Sequence, residues 1–327
     1  MKLQEETMNV ILETISKLGI VPVIALDKVE DAAPLAKALC DGGLPCAEIT
    51  FRTEAAEEAI RSITKLYPDM LVGAGTVLTI EQVDRAINAG AKFIVSPGLN
   101  PKVVKYCVDN GITIIPGCTN PSDIEQALEC GLEVVKFFPA EASGGLSMIK
   151  ALAAPYNKVK FMPTGGITAK NLTTYLDFNK IIACGGSWMV NNDLIREGNF
   201  EGITTLTKEA VSSMLGFDLA HIGINAREET EAGTLASTLE NILGYQSKVG
   251  NSSIFIGSAI EIMKSPYLGT HGHIAIQTNY IHRAIYHLEM RGLSFDRNTA
   301  KFDEKNNLKA VYLADEYGGF AIHLLQK

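Results

Sequence analysis

Between Ile20 and Trp188, short apolar runs alternate with amphipathic segments, and this alternation limits the possible fold more than any other feature. The segments between the runs, such as Glu54–Leu66 and Glu81–Ala89, carry apolar residues at helical spacing. The runs predict strands at Ile20–Leu26, Cys46–Phe51, Leu71–Val77, Phe93–Pro97, Thr113–Cys118, Val134–Pro139, Lys160–Thr164 and Ile181–Cys184. Eight such units, followed by a terminal helix and linker, predict a (β/α)8 TIM barrel over residues 1–214. A doubly wound open sheet is the alternative, but it would usually have fewer strands and carry a nucleotide fingerprint.

The pattern changes after Gly216, where one strand and one helix are followed by further strands, twice over. Strands are predicted at Phe217–Asn225, Ser253–Phe255, Ala259–Met263, His273–Thr278, Lys309–Ala314 and Phe320–Leu325, with helices at Arg227–Leu243 and Ile281–Arg291. Residues 215–327 therefore predict a smaller α+β domain of two βαβββ-like repeats.

Composition excludes several classes of partner. The net charge of −8 and the pI near 5.4 argue against nucleic acid or an anionic membrane surface as the main partner. No apolar run approaches the roughly 20 residues that span a bilayer, and the acidic N-terminus does not read as a signal peptide. All six cysteines lie in the first 184 residues without a C-x-x-C pair, which is typical of reduced thiols. We therefore expect a cytoplasmic protein.

Lys136 is the most unusual residue of the predicted barrel. It is flanked by Val134, Val135, Phe137 and Phe138, in a run that reads as a buried strand. Burial disfavours the ammonium form, and a neutral amine in an apolar pocket is a nucleophile toward carbonyl carbons. The alternative is a lysine at a strand end that extends its ammonium to solvent.

Other polar or glycine positions follow the same strands. Glu48 lies in a strand-like run and could serve as a general base, or could simply form an ion pair with Arg52. Glycine pairs at Gly165-Gly166 and Gly185-Gly186 follow the predicted strands seven and eight. In barrels these two loops commonly bind phosphate, because bare backbone N–H groups can approach the anion there.

Six segments, in this order, resemble one known family. They are Glu48-Ile49-Thr50-Phe51-Arg52-Thr53, Gly73-Ala74-Gly75-Thr76-Val77, Ser96-Pro97-Gly98, Lys136-Phe137-Phe138-Pro139-Ala140-Glu141, Pro163-Thr164-Gly165-Gly166-Ile167 and Gly185-Gly186-Ser187-Trp188. Together they resemble the 2-dehydro-3-deoxy-6-phosphogluconate (KDPG) aldolases, including those that also cleave 4-hydroxy-2-oxoglutarate (KHG), over residues 8–212. The resemblance implies a class I lyase on a TIM barrel, assembled as a homotrimer.

The resemblance also implies roles for individual residues. Lys136 would form the Schiff base and Glu48 would act as the acid and base. The substrate would be bound by Arg52, Thr76, Pro97, Phe138, Gly165, Gly166, Gly185 and Ser187. The substrate would be a phosphorylated 2-keto-3-deoxy sugar acid. Pyruvate would be the product common to both substrates, and no cofactor would be needed. A sugar-phosphate isomerase or epimerase, or a catalytically silent scaffold, are the alternatives, but neither explains the buried lysine.

The C-terminal region carries a second set of candidate residues. His221, Glu261, His273 and His323 each lie in a strand with alternating apolar neighbours, so all four could face one side of a curved sheet. Three imidazoles and one carboxylate suit a divalent metal such as Zn²⁺, Ni²⁺ or Fe²⁺.

Residues 217–327 resemble the glyoxalase/dioxygenase (vicinal oxygen chelate) family, whose paired βαβββ modules place metal ligands at these points. Gly272-His273-Ile274-Ala275 carries the resemblance best. The family usually has glutamate at the last ligand position, where this chain has His323. The alternative is a degenerate module that serves in oligomerisation or ligand sensing. Tyr267, His271 and His282 read as surface or loop residues.

Overall fold

A computed structural model describes residues 9–327, which fall into two compact units. The first unit ends at Met214, and the second spans Leu215–Lys327. Among the described helices, none is long and apolar enough to cross a membrane.

The first unit alternates strands and helices along the chain. Its strands are β1 (Ile20–Ile24), β2 (Cys46–Thr50), β3 (Leu71–Gly75), β4 (Phe93–Val95), β5 (Thr113–Ile115), β6 (Val134–Phe137), β7 (Lys160–Pro163) and β8 (Cys184–Gly186). Its helices are α1 (Val10–Leu18), α2 (Ala32–Asp41), α3 (Ala56–Leu66), α4 (Ile80–Asn88), α5 (Pro101–Asp109), α6 (Pro121–Glu129), α7 (Gly145–Ala153), α8 (Leu172–Leu176), α9 (Asn192–Arg196) and α10 (Phe200–Leu215).

The strands of this unit form a barrel-like ring. Six strands make a curled parallel sheet in the order β5-β4-β3-β2-β1-β8, and β6 pairs with β7 in parallel. Single parallel bridges join the two sheets, from Gly117 to Lys136 on one side and from Thr164 to Gly185 on the other. The carboxyl ends of the strands therefore meet at one end of the ring, where barrel enzymes carry their active sites.

The last strand of the ring begins later than the sequence pattern suggested. The prediction placed strand eight at Ile181–Cys184 with both glycines in the following loop, whereas β8 contains Gly185 and Gly186. These glycines pair with Val21 and Pro22 of β1. The prediction ended the strand at Cys184 because glycine is normally unfavourable in a strand. Here neighbouring side chains require it: a Cβ on Gly185 would lie 2.3 Å from the Thr164 Oγ1.

The second unit contains one continuous sheet and two helices. Its strands are β9 (Asp218–Asn225), β10 (Ser247–Val249), β11 (Ser253–Ile256), β12 (Ile260–Met263), β13 (Gly272–Thr278), β14 (Phe295–Phe302), β15 (Leu308–Tyr317) and β16 (Phe320–Gln326). The helices are α11 (Glu229–Leu243) and α12 (Ile281–Glu289). Two of these strands, β10 and β14, were not predicted from the sequence.

The strand order in the second unit is β10-β11-β12-β9-β13-β16-β15-β14, with β9 and β13 antiparallel at the centre. The central strand β9 also pairs in parallel with β12, and the central strand β13 pairs in parallel with β16. The helix α11 packs Ala232 and Ala236 against Ile254, Ile256 and Ile262 of the neighbouring strands. This packing covers one face of the part of the sheet that contains β11 and β12.

Candidate active site and candidate metal centre

Lys136 and Glu48 meet inside the first unit. Lys136 lies on β6, all four residues of which are buried, and only 5% of its surface is exposed. Its Nζ donates a hydrogen bond to the Glu48 Oε1 at 3.2 Å, and Glu48 on β2 is fully buried. The ammonium group also lies 5.3 Å from the ring centroid of Phe138. The glutamate therefore pairs with Lys136, and not with Arg52 as the alternative interpretation would have it.

The carboxylate of Glu48 has room because β3 ends in glycine. A Cβ on Gly75 would lie 2.2 Å from the Glu48 Oε1, which is closer than two such atoms can approach. The second carboxylate oxygen, Oε2, accepts no hydrogen bond from the described residues. It can therefore accept a proton or a hydrogen bond from a bound ligand without breaking the contact to Lys136.

Arg52 and Thr76 form a second contact at the strand ends. The Arg52 Nε donates to the Thr76 Oγ1 at 3.2 Å. Arg52 lies two residues after β2, and Thr76 directly follows β3. Thr76 has a φ of 56°, in the left-handed region that a β-branched residue rarely adopts. Such a backbone is commonly held at functional sites, where the surrounding structure enforces it.

A cavity of about 610 Å³ opens beside these residues, a volume ordinary for a small-molecule site. Its lining includes Arg52, Phe138, Gly165, Gly166, Gly186 and Ser187. Gly165 and Gly166 have φ values of 97° and 80°, so this loop depends on glycine at both positions. A phosphate group could reach the backbone there without meeting a Cβ.

Not all predicted substrate-binding residues line the cavity. Pro97 lies two residues after the end of β4 and is half-buried, and its carbonyl oxygen would lie 2.0 Å from a Cβ on Gly117. Gly185 is buried within β8 and is absent from the cavity lining. Thr76, Lys136 and Glu48 are also absent from the lining. Pro97 and Gly185 shape the ring next to the cavity. Arg52 connects the cavity to Thr76, and Phe138 connects it to Lys136.

Several residues of the cavity were not singled out from the sequence, and Thr164 is one of them. Thr164 follows β7 and lines the cavity, and its buried Oγ1 has no hydrogen-bond partner among the described residues. A buried hydroxyl without a partner is unfavourable, so this atom is suited to a ligand. Its position at the end of a strand, directly before Gly165, is the sequence feature that could have identified it as a site residue.

In the second unit, the four predicted metal ligands face one another on the sheet. The His221 Nε2 and the His273 Nε2 are 3.1 Å apart. The Glu261 Oε2 lies 3.2 Å from the His221 Nε2 and 3.1 Å from the His273 Nε2. His323 offers a third ring nitrogen, and the three histidines have ligand atoms all within 4.8 Å of one another. We call these four residues the histidine cluster.

Gly223 makes this approach possible. A Cβ on Gly223 would lie 2.0 Å from the Cε1 of His273, so the absence of a side chain admits the ring. Gly223 and His273 are register partners in the central β9–β13 pair.

Two residues that the sequence interpretation overlooked support the cluster. Ser253 Oγ donates to the Glu261 Oε1 at 2.6 Å, and Tyr312 stacks on His323 with ring centroids 4.5 Å apart. Tyr312 is the register partner of His323 in the β15–β16 pair. Only the strand pairing identifies Tyr312 as a neighbour of the cluster, and a single sequence does not give strand pairing. Tyr267, interpreted as a surface or loop residue, is partly exposed, and its ring contacts that of Tyr312.

Electrostatics of the cluster favour an ionised carboxylate at Glu261 and a neutral ring at His323. Burial opposes ionisation of Glu261, but hydrogen bonds from His221, His273 and Ser253 outweigh it and hold the pKa of the carboxyl well below its usual range. Burial, followed by the charges of His273, His221 and Lys301, lowers the pKa of His323 to about 3. The neutral His323 ring therefore presents one free lone pair at neutral pH.

These features fit a divalent metal ion. Metal–nitrogen bonds of about 2.0–2.1 Å place neighbouring ligand atoms roughly 2.8–3.0 Å apart in octahedral geometry and roughly 3.3–3.4 Å apart in tetrahedral geometry. The three short separations among His221, His273 and Glu261 are 3.1, 3.1 and 3.2 Å. Neither ring nitrogen of the buried His323 has a hydrogen-bond partner among the described residues. A cation at this point would take one ligand atom from each of these groups.

The first unit combines a buried amine, a buried carboxylate that holds it and an adjoining cavity at the carboxyl ends of barrel strands. Schiff-base enzymes use these groups to attack a carbonyl carbon and to move a proton. The unit is therefore a lyase of the class I aldolase type. A family model described as KDPG and KHG aldolase matches residues 11–206, and the chain belongs to this family.

Curated relatives match the same part of the chain. A 2-dehydro-3-deoxy-phosphogluconate aldolase of Haemophilus influenzae is 54% identical over 205 residues, which are 63% of this chain and 97% of that protein. One of Treponema pallidum is 50% identical over 204 residues, 62% of this chain and 97% of that protein.

Solved structures agree. A KDPG aldolase of Legionella pneumophila, with pyruvate captured at low pH as a covalent carbinolamine intermediate, is 38% identical with a TM-score of 0.60. It matches 61% of this chain and 97% of its own. The KDPG aldolase of Zymomonas mobilis ZM4 with 3-phosphoglycerate is 41% identical with a TM-score of 0.57, over 61% of this chain and 94% of its own.

Proposed function

We propose that the first unit cleaves 2-dehydro-3-deoxy-6-phosphogluconate to pyruvate and glyceraldehyde 3-phosphate. We further propose that it cleaves 4-hydroxy-2-oxoglutarate to pyruvate and glyoxylate. The buried contact between Lys136 and Glu48 is the observation that supports this most. Arg52 at the cavity wall suits the carboxylate of the pyruvyl part, since guanidinium groups bind carboxylates well. The glycine loop and Ser187 suit the phosphate of the larger substrate.

The chemistry follows from these positions. Lys136 Nζ attacks the C2 carbonyl carbon, and loss of water gives an iminium that withdraws electrons. A base removes the proton of the C4 hydroxyl, the C3–C4 bond breaks, and the aldehyde leaves. Glu48 then delivers a proton to C3 of the enamine. Hydrolysis of the new iminium releases pyruvate and restores the lysine.

Borohydride trapping with pyruvate tests this proposal on the full chain. Reduction should fix a pyruvyl group on Lys136, located by peptide mass mapping, and Lys136→Ala should lose it. Lys160→Ala is a matched control, because Lys160 begins the neighbouring strand β7. An adduct that persists in Lys136→Ala, or no adduct at any lysine, would contradict the Schiff-base assignment. The isomerase or epimerase alternative would then take first place.

We propose for the second unit a divalent metal held by His221, Glu261, His273 and His323, in an α+β domain of two βαβββ repeats. The 3.1–3.2 Å separations among three of these ligands support it. The ion would supply Lewis acidity at this surface. Since His323 stands where the resembled family carries glutamate, we do not propose proton transfer by a carboxylate at this position.

Metal content after equilibrium dialysis of the full chain against Zn²⁺ tests the site. Wild type should bind one ion per chain and His273→Ala should not. His282→Ala is the control, because His282 lies outside the cluster. Equal metal in wild type and His273→Ala would contradict the site.

A homotrimeric assembly and a cytoplasmic location stay predictions from the sequence. The resemblance to the aldolase family supports the trimer, and light scattering on the full chain measures it directly. A monomer or dimer at working concentration would contradict it.

A further inference from the structure

We propose that Tyr175 and Glu141 form a pair that holds the glycine loop, Gly165-Gly166, in the shape that receives the phosphate of the substrate, and that this pair therefore favours phosphorylated substrates. The inference rests on the proposed function of the first unit. It goes further by assigning two positioning residues that lie outside the cavity lining.

The peptide groups of the glycine loop are fixed from outside the loop. The backbone N–H of Glu141 donates to the Gly165 carbonyl oxygen at 3.1 Å, and the Asn171 Nδ2 donates to the Gly166 carbonyl oxygen at 3.0 Å. In a planar trans peptide, the carbonyl group and the following N–H point in opposite directions. Fixing these two carbonyl groups therefore also fixes the N–H groups of Gly166 and Ile167, which are donors that a phosphate at the loop can use.

The side chain of Glu141 lies directly behind Gly166. A Cβ on Gly166 would lie 2.5 Å from the Glu141 Cγ and 2.7 Å from its Cβ, so these carbon atoms occupy the space that a larger residue would need. The carboxylate lies elsewhere: a Cβ on Gly145, the first residue of α7, would lie 3.2 Å from the Glu141 Oε1. A negative charge is favourable near the N-terminus of a helix. Glu141 thus supports the loop with its carbon atoms and keeps its charge beside α7.

Tyr175 fixes this position of Glu141. Glu141 is exposed to solvent, whereas Tyr175 is only 2% exposed, and the Tyr175 hydroxyl donates to the Glu141 Oε1. Burial, followed by this hydrogen bond, raises the pKa of Tyr175, so the phenol keeps its proton and remains a donor. An exposed side chain that nothing holds would sample several rotamers. The hydrogen bond from the buried tyrosine therefore decides where the glutamate lies.

Loss of this hydrogen bond would affect phosphate binding and carbonyl chemistry differently. A released Glu141 would no longer support Gly166, and its carboxylate could turn toward the loop and repel the phosphate. Lys136 is held separately, by its contact with Glu48. We therefore expect phosphate binding to weaken, while Schiff-base formation with pyruvate, which has no phosphate, continues.

Steady-state kinetics of KDPG cleavage by the full chain test the inference. Tyr175→Phe removes the hydroxyl and keeps the ring. Its KM for KDPG should rise about fivefold to twentyfold, with kcat within about twofold of wild type, because binding of the non-reacting phosphate is weakened. Inhibition by inorganic phosphate should weaken by the same factor. The pyruvate concentration that gives half-maximal borohydride trapping should stay as in wild type.

Two Glu141 variants separate support of the loop from charge. Glu141→Ala removes the carbon atoms behind Gly166 and should raise the KM as Tyr175→Phe does. Glu141→Gln keeps the shape of the side chain, and its amide oxygen can still accept from Tyr175, so its KM should stay near that of wild type. Tyr156→Phe is the matched control, because the Tyr156 hydroxyl donates to the Glu125 Oε1 at 3.0 Å and neither residue lines the cavity. It should behave as wild type does.

The outcomes separate this inference from the proposed function. A wild-type chain that does not cleave KDPG would contradict the proposed function and this inference together. KDPG cleavage with an unchanged KM in Tyr175→Phe would overturn the inference alone. An equal weakening of KDPG binding and of pyruvate trapping in that variant would overturn a role specific to the phosphate. A rise of the KM in Glu141→Gln as large as in Glu141→Ala would overturn the support of the loop by this side chain.

Discussion

Lys136 and Glu48 come from β6 and β2, which are not neighbours in the ring, yet their side chains meet at 3.2 Å. The sequence marks each of them separately, as a charge within an apolar run. A buried charge without a partner is very unfavourable, so the two groups need each other in the folded state. The two residues that we propose as the catalytic pair thus also form a structural pair.

The free energy of unfolding should show this dependence. Lys136→Met should lower it by about 3–5 kcal/mol, because Glu48 is left as an unpaired buried carboxylate. The double variant Lys136→Met/Glu48→Gln should recover a large part of this loss, since no buried charge remains. Urea unfolding of the wild type, both single variants and the double variant measures the coupling. Additive effects would contradict a direct interaction between the two side chains.

Glu48→Gln should separate Schiff-base formation from proton transfer. The amide keeps the size of the side chain and can still contact Lys136, but it cannot give or take a proton. The turnover rate should fall by roughly 10²–10⁴-fold, the usual contribution of a general acid or base. Borohydride should still trap pyruvate on Lys136.

Exchange of the pyruvate methyl protons in heavy water, followed by NMR, measures the affected step directly. It should slow in parallel with turnover. Wild-type exchange in Glu48→Gln would show that another group protonates the enamine.

At the scale of elements, the strands with a buried pattern were predicted well. β2, β3 and β6 begin at the predicted residues, because their apolar runs are buried on both faces, as parallel strands require. The edge strands β10 and β14 were missed. Their segments carry lysine, aspartate, arginine and asparagine, which are common on sheet edges and hide the strand pattern.

Gly75 at the end of β3 shows how one element positions the site on another. Gly75→Ala should reduce turnover by at least about tenfold, because the new Cβ would displace the Glu48 carboxylate. Gly98→Ala is the matched control: Gly98 also follows a barrel strand, and its Cβ would meet nothing within 4 Å. Steady-state kinetics of both variants, with circular dichroism to check the fold, measure the effect. Normal turnover in Gly75→Ala would show that Glu48 tolerates displacement.

At the scale of the whole molecule, all six cysteines are free thiols. Burial, with a smaller contribution from Asp84, raises the pKa of Cys107 to about 11. Burial, with a smaller contribution from Asp123, raises the pKa of Cys118 to about 12. Both residues lie in the first unit, so its interior holds these thiols in their protonated form.

Stability should therefore fall in alkaline solution. Each folded-state pKa lies above the ordinary thiol pKa of 9.0, so the unfolded chain loses these protons first. The contribution to stability is complete below that value and is lost as the pH rises through the folded-state pKa. Urea midpoints at about pH 8 and about pH 10.5 measure the loss. The variant Cys107→Ala/Cys118→Ala should lose less between them, and an equal loss would contradict the contribution of these thiols.

The sequence by itself determined the order of strands and helices in the first unit, the buried lysine and acid, and the glycine loop at Gly165. These features depend on local pattern: apolar runs form buried strands wherever they fold, and glycine tolerates backbone that other residues avoid. Only the tertiary structure decided which groups meet. It paired Glu48 with Lys136 instead of Arg52, and it brought Tyr312 onto His323. Such contacts join distant segments through strand register and ring closure, and no local pattern encodes either.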